Sequence, residues 1–119
     1  MDTMHQPEIR FSYYGGDIIL PKIIEVNLYR IIQELVTNSI KHANANSINV
    51  ELSYRNNGVQ LSVEDDGRGF DLKQIKNDGI GISNVKHRVA FLDGEVDFSS
   101  SGEGTSVSVF INEISLNND

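Results

Sequence analysis

The chain has 119 residues, of which 39% are hydrophobic and 23% are charged, with no cysteine and a formal net charge of −7. This length predicts one domain over residues 1–119, with a core at about 8–113 and mobile ends. The absence of cysteine excludes disulfides and thiolate-ligated zinc. The acidic balance argues against nucleic acid as a partner, because a duplex-binding surface needs a field of lysine and arginine.

The first half of the chain predicts a strand, a long helix and a hairpin. Residues 8–14 alternate apolar and polar side chains, which is typical of a strand. A helix is expected from about Pro21 to Ala43, because proline suits a first helical turn, and it should stop within the turn-rich sequence ANANS. Alternation over 48–54 and 59–63, with Asn-Asn-Gly at 56–58 between them, predicts a β-hairpin.

The second half predicts another helix and two more strands. Apolar residues recur at helical spacing from Ile82 to about Leu92, and Gly94 is expected to close this helix. Alternation at 96–98 and 107–111 indicates strands, separated by the sequence SSSGEG. The order β-α-β-β-α-β-β predicts an α+β two-layer sandwich, in which helices cover one face of a mixed, mostly antiparallel sheet of about five strands.

The long helix carries a short row of polar residues. Glu34, Asn38 and Lys41 fall within about 60° of one another on a helical projection, with His42 at the margin. A solvated amphipathic helix would have such a stripe. This row, however, mixes a carboxylate, an amide and cations, and asparagine is a poor helix former. The segment alone leaves both a solvated face and a ligand site open.

Two glycine pairs flank the segment that follows the hairpin. Gly67 and Gly69 come directly after a strand, where they allow positive φ and close approach to a ligand. Gly79 and Gly81 precede the second helix, whose free N–H groups could hold a phosphate. Each pair alone is equally compatible with an ordinary turn. A calcium loop is excluded at 65–71, because the required acidic spacing is missing.

Taken together and in this order, four segments closely resemble the ATP-site boxes of sensor histidine kinases, whose superfamily includes gyrase-type and heat-shock chaperone ATPases. The segments are ELVTNSIKH, DDGRGF, GIGISN and GEGT. The resemblance covers about residues 28–112. The segments LYRIIQELVTNSIKHA and GIGISNVKHRV most resemble the subgroup with a short nucleotide lid, as in nitrate-sensor and lipid-fluidity-sensor kinases. The absence of a phenylalanine-rich box between the glycine boxes fits that subgroup. The resemblance implies the Bergerat-type ATP-binding fold, with ATP and Mg²⁺ as the bound species.

The resemblance implies distinct roles for the polar row. Asn38 matches the asparagine whose side-chain oxygen binds Mg²⁺ between the nucleotide phosphates. Glu34 matches the acidic residue that orients a metal-bound water or accepts a proton from the phosphate acceptor, which makes it the catalytic candidate. Lys41 matches a cation that contacts phosphate, and His42 matches a residue beside the ribose and phosphates.

The resemblance also implies a binding site for the adenine base and a lid. Asp65 matches the carboxylate that accepts a hydrogen bond from the adenine 6-amino group. The other implied nucleotide contacts come from backbone amides, glycines or a hydroxyl: Gly67, Gly69, Gly79, Gly81, Ile82 and Thr105. The first glycine pair would let the chain pass under the base, and the second would form the hinge of a lid. The lid itself, at about 72–78, is expected to be mobile without nucleotide.

None of the three histidines matches a phosphate acceptor. His5 lies near the terminus, His87 is expected on an exposed helix surface, and His42 belongs to the nucleotide box. The resemblance therefore implies that the histidine lies on a separate dimeric helical-hairpin domain, with a response regulator downstream. It further implies a cytoplasmic domain without membrane contact, in a parent protein anchored in the bacterial inner or plasma membrane. A serine kinase of the anti-sigma-factor type and a non-catalytic nucleotide-binding module are the alternatives.

Overall fold

The computed structural model describes residues 6–43, 45–67, 82–101 and 103–112. Within them the secondary structure follows the predicted order. The bounds are β1 Glu8–Tyr14, α1 Lys22–Asn38, β2 Ser47–Arg55, β3 Gly58–Asp65, α2 Ile82–Phe91, β4 Glu95–Ser101 and β5 Gly104–Ile111. Neither of the described helices has the length and hydropathy of a membrane span.

The strands form one five-stranded sheet in the order β1-β2-β3-β5-β4. β1 is parallel to β2, whereas β2–β3, β3–β5 and β5–β4 are antiparallel pairs. The parallel pair is possible because α1 connects β1 to β2 across the sheet. The prediction of a mixed, mostly antiparallel sheet is therefore confirmed.

Both helices pack against one face of the sheet. The core is formed by apolar side chains that are almost fully buried, which include Leu28, Ile31 and Leu35 of α1, Val85 and Val89 of α2, and Ile48, Val50, Val59, Leu61, Val63, Val107, Val109 and Ile111 of the sheet. The sheet residues occupy alternate positions, so every second side chain points to the helices. Each such burial stabilises the fold by about 1.5–3 kcal/mol before entropy is counted.

The edge strand β1 is covered far less than the centre of the sheet. Ile9 and Phe11 lie opposite Ile48 and Val50 in the parallel register. They are nevertheless 49% and 59% exposed, because β1 is an edge strand and the helices pack over the central strands. The apolar alternation that correctly predicts this strand therefore does not predict its burial.

The first helix differs from its prediction at both ends. Pro21 precedes the helix as its N-cap residue, and its carbonyl accepts hydrogen bonds from the N–H groups of Ile24 and Glu25. The α-helix ends at Asn38, and a π-helical turn from Ser39 to Ala43 continues the chain. Such turns are rare and often occur at functional sites. This one changes the angular positions of residues 39–43 from those of a regular α-helix.

The turn of the hairpin and the turn after α2 place residues in the left-handed conformation, and the second also needs a glycine for close packing. Asn56 and Asn57 have φ values of 55° and 63° and form the two-residue loop of the predicted hairpin. After α2, the left-handed residue is Asp93, with φ 57°. Gly94, which the sequence predicts to close this helix, donates its N–H to the Val89 carbonyl. Glycine is needed there for space, because a Cβ would lie 2.9 Å from the Phe110 carbonyl oxygen.

Candidate functional site

Asp65 lies at the end of β3 and joins three other parts of the chain. Its Oδ1 accepts hydrogen bonds from the backbone N–H groups of Gly67 and Thr105, at 2.9 and 3.3 Å. Its Oδ2 accepts a hydrogen bond from the Ser39 hydroxyl at 2.7 Å. The residue is only 9% exposed. A buried carboxylate with this set of donors is held in one orientation and still has acceptor capacity for a ligand.

The next residue, Asp66, has a bracing role. Its Oδ1 accepts hydrogen bonds from the backbone N–H groups of Asn46 and Ser47, at 2.8 and 2.9 Å. Its own N–H donates to the Ser47 carbonyl at 3.3 Å. Asp66 therefore fixes the end of β3 to the start of β2. The two adjacent carboxylates therefore have different roles: Asp66 connects two strands, whereas Asp65 is the buried one at the sheet end.

The start of β5 lies directly against Asp65. Gly104 has φ 149°, and a Cβ on it would lie 2.1 Å from the Asp65 carbonyl oxygen. Only glycine can occupy this position without moving the neighbouring strand. Thr105 is buried, and its hydroxyl lies 3.4 Å from the hydroxyl of Ser100. The structure thus brings Thr105 next to Asp65.

The end of α1 reaches the same place. Ser39 contacts Asp65 directly, and the preceding residue, Asn38, is 5% exposed. The Asn38 Nδ2 atom is buried and has no hydrogen-bond partner among the described residues. A buried amide without a partner is unusual in a folded protein and indicates a position where a ligand or ordered water completes the hydrogen bonding. The solvated-stripe interpretation of the polar row is therefore wrong at Asn38.

The other members of the polar row are more accessible. Glu34 is half-buried and lies one turn before Asn38, which separates their Cα atoms by about 6 Å along the helix axis. Lys41 is exposed in the π-helical turn and has no hydrogen bond or ion pair with another described residue. The backbone of His42 belongs to the same turn, and its side chain lies outside the described part of the structure.

Several predicted contacts fall outside the described residues, namely Gly69, Gly79, Gly81 and the lid at 72–78. Ile82 begins α2 and is fully buried. Its side chain therefore belongs to the packed interior, and only its backbone could reach a ligand. Gly67 is buried and its N–H is already donated to Asp65. Gly67 therefore has a structural role beside Asp65.

Cavities alone would not identify this region. A cavity of about 290 Å³ adjoins Asp65, Gly104 and Thr105. A larger one of about 720 Å³ lies on the helix-free face beside the hairpin loop, and none of the predicted residues is among the described residues that line it. We assign the site to the Asp65 end of the sheet, because a buried carboxylate and an unpartnered buried amide meet there. The larger cavity has no comparable buried polar group.

The side chains fit an adenine nucleotide and a magnesium ion. An ionised carboxylate only accepts hydrogen bonds, so Asp65 suits the amino group of adenine and not the carbonyl of guanine. Among the described residues, no group of three His, Asp or Glu side chains could bind a metal by itself. Magnesium in nucleotide sites is bound by few protein groups plus phosphates and water, and carbonyl as well as carboxylate oxygens suit it. The Asn38 carboxamide can supply one such oxygen.

Three residues of this region were missed by reasoning from the sequence: Ser39, Asp66 and Gly104. Ser39 directly follows Asn38 in the helical box, and a second poor helix former at that position was a usable signal. Gly104 is part of GEGT, and the resemblance assigns a role in that segment to the threonine alone. The role of Asp66 depends on which strand start lies beside it, and residue spacing does not reveal that.

Comparison with known proteins agrees with this geometry. Residues 23–114 match the family of histidine kinase-, DNA gyrase B- and HSP90-like ATPases. The chain is 33% identical over 94 residues to the sensor histidine kinase LiaS of Bacillus subtilis, covering 78% of this chain and 26% of that protein. It is 37% identical over 108 residues to the histidine-protein kinase/phosphatase DegS of the same species, covering 86% and 28%. The chain thus spans about a quarter of the length of these relatives.

A solved structure shows the same fold. The histidine kinase domain of a blue-light activated histidine kinase from Erythrobacter litoralis superposes with a TM-score of 0.76 at 24% identity, covering 89% of this chain and 55% of that one. The predicted fold class is thereby confirmed, and the family match extends over both helices and the four strands that follow α1. The chain therefore belongs to the family of histidine kinase-, DNA gyrase B- and HSP90-like ATPases.

Proposed function

We propose that this chain is the catalytic domain of a sensor histidine kinase, which binds Mg·ATP at the Asp65 end of the sheet and presents the γ-phosphate to a histidine on a separate domain. The observation that carries the proposal is the buried Asp65 carboxylate, which two backbone N–H groups and one hydroxyl hold in place. The sensor kinases among its relatives support the direction of transfer.

The nucleotide would be oriented by its two ends. Asp65 accepts a hydrogen bond from the adenine amino group, with Thr105 beside it. The phosphates then extend towards the end of α1, where Asn38 supplies an oxygen to Mg²⁺ and Lys41 a positive charge. Bound Mg²⁺ would neutralise part of the phosphate charge. The exposure of Lys41 supports this role, since its ammonium group is free to approach a phosphate.

Phosphoryl transfer needs little covalent chemistry from the domain. An imidazole nitrogen of the acceptor histidine attacks the γ-phosphorus, while the bond to the bridging β–γ oxygen breaks and ADP leaves. Glu34 accepts the proton that this nitrogen loses, or orients a water that does so. The half-buried position of Glu34, one turn from Asn38, supports this assignment. Positioning and electrostatic stabilisation supply the remaining acceleration.

The wider setting is also a proposal. The acceptor histidine lies on a helical dimerisation domain of the same parent protein, and a response regulator receives the phosphate from it. The parent is anchored in a bacterial membrane, with this domain in the cytoplasm. The support is that the related sensor kinases are several times longer than this chain.

The decisive experiment mixes this chain with Mg·ATP and a matching histidine-bearing dimerisation domain. We expect phosphate on that domain that is labile to acid and stable to base, as phosphohistidine is. Acid-stable phosphate would instead indicate a serine kinase of the anti-sigma-factor type. Nucleotide binding without any transfer would indicate a non-catalytic module. A dimerisation domain whose histidine is replaced by alanine is the control.

A further inference from the structure

The Asp65 carboxylate has almost no unused acceptor capacity. A carboxylate offers about four lone-pair positions. Oδ1 accepts two backbone N–H groups, from Gly67 and Thr105, and Oδ2 accepts the Ser39 hydroxyl. One position on Oδ2 is therefore left for a ligand. Among the described residues, backbone N–H groups hold Oδ1, whereas the Ser39 hydroxyl is the sole hydrogen-bond donor to Oδ2.

Ser39 is itself held firmly. It is 3% exposed, and its backbone N–H donates to the carbonyl groups of Leu35 and Val36. It begins the π-helical turn, so both it and the preceding Asn38 are buried at the same end of the helix. Its hydroxyl bonds across 26 positions of sequence to Asp65 at 2.7 Å and makes no other hydrogen bond among the described residues.

We propose that Ser39 is a positioning residue that aims the free lone pair of Asp65 and so sets the selectivity for a base with an exocyclic amino group. This inference rests on the proposed function. Without the hydroxyl, Oδ2 would have two open acceptor positions and the carboxylate plane could rotate away from the amino group. The hydroxyl restricts Oδ2 to a single acceptor direction. A donor on the ligand must then lie in that direction to be bound.

The test compares two nucleotides that differ only at the group in question. Calorimetry would measure affinity for ATP and for purine riboside triphosphate, which lacks the 6-amino group, with wild type, Ser39→Ala, Ser39→Cys and Ser62→Ala. We expect the preference of the wild type for ATP to fall about 3- to 10-fold in Ser39→Ala, the range of one net hydrogen bond. Ser39→Cys keeps a weak hydrogen-bond donor, so its preference for ATP should lie between those of the wild type and Ser39→Ala. Ser62, on the same strand as Asp65, is the control and should change nothing.

The outcomes separate a positioning role from a structural one. If the hydroxyl only ties α1 to the sheet, its removal would lower thermal stability or weaken the binding of both nucleotides equally. The preference for ATP would then be unchanged. An unchanged preference in Ser39→Ala would overturn the inference while the proposed function survives. If Ser39→Ala does not fold, a wild-type preference in Ser39→Cys would overturn it too. If the wild type binds neither nucleotide, the proposed function itself is wrong and the inference falls with it.

Discussion

Gly104→Ala should destabilise the protein strongly, because the added methyl group would overlap the Asp65 backbone. Its Cβ would lie 2.1 Å from the Asp65 carbonyl oxygen. An ordinary carbon–oxygen contact is about 3.3 Å, so β3 and β5 would have to separate by about 1.2 Å. Overpacking of this kind costs about 1–3 kcal/mol. The φ of 149° is open almost only to glycine and adds about 1–3 kcal/mol.

Gly16→Ala is the matched control for the backbone part of this effect. Gly16 also has a positive φ, of 75°, but nothing lies within 4 Å of its added Cβ. We expect Gly16→Ala to lower the free energy of unfolding by about 1–2 kcal/mol through backbone conformation alone. The corresponding loss for Gly104→Ala is about 2–6 kcal/mol. Urea unfolding followed by far-ultraviolet circular dichroism measures both. Equal losses in the two variants would refute the close contact between Gly104 and Asp65.

Two further substitutions separate metal binding from catalysis at the end of α1. Asn38→Ala should weaken ATP binding measured with Mg²⁺ but change binding without metal little. Equal weakening with and without metal would contradict the metal role. Glu34→Gln should bind Mg·ATP normally, while transfer to an added histidine domain falls by about 10²–10⁴-fold, as is typical for loss of a general base. A normal transfer rate in Glu34→Gln would mean that Glu34 is an ordinary helix residue.

Local patterns predicted most of the fold. Alternation identified all five strands, and the asparagines of the hairpin loop adopt the positive φ values that their turn type requires. The order of the elements then limited the sheet to a mostly antiparallel arrangement. The exposure of Phe11 could not be predicted this way, because it depends on how far the helices extend over the sheet.

Of the residues that the sequence predicts for the site, the structure brings Asp65, Asn38 and Thr105 to one end of the sheet, and their binding roles stay predictions. The contacts missed were those that cross from one element to another. The Ser39 hydroxyl donates to a residue 26 positions away in the sequence. Glycine is needed at position 104 because β5 pairs with β3 and brings this residue against Asp65. Residue spacing carries information within an element, but it does not say which side chains from different elements meet.

The most direct measurement for the central claim is calorimetric titration of wild type and Asp65→Asn with Mg·ATP and Mg·GTP. We predict that the wild type prefers ATP by about 5- to 150-fold, because guanine would set a carbonyl against the carboxylate and leave a buried acceptor unpaired at about 1–3 kcal/mol. Asparagine can donate as well as accept, so Asp65→Asn should lose most of this preference. Equal affinity of the wild type for the two nucleotides, or an unchanged preference in Asp65→Asn, would contradict an adenine site at Asp65.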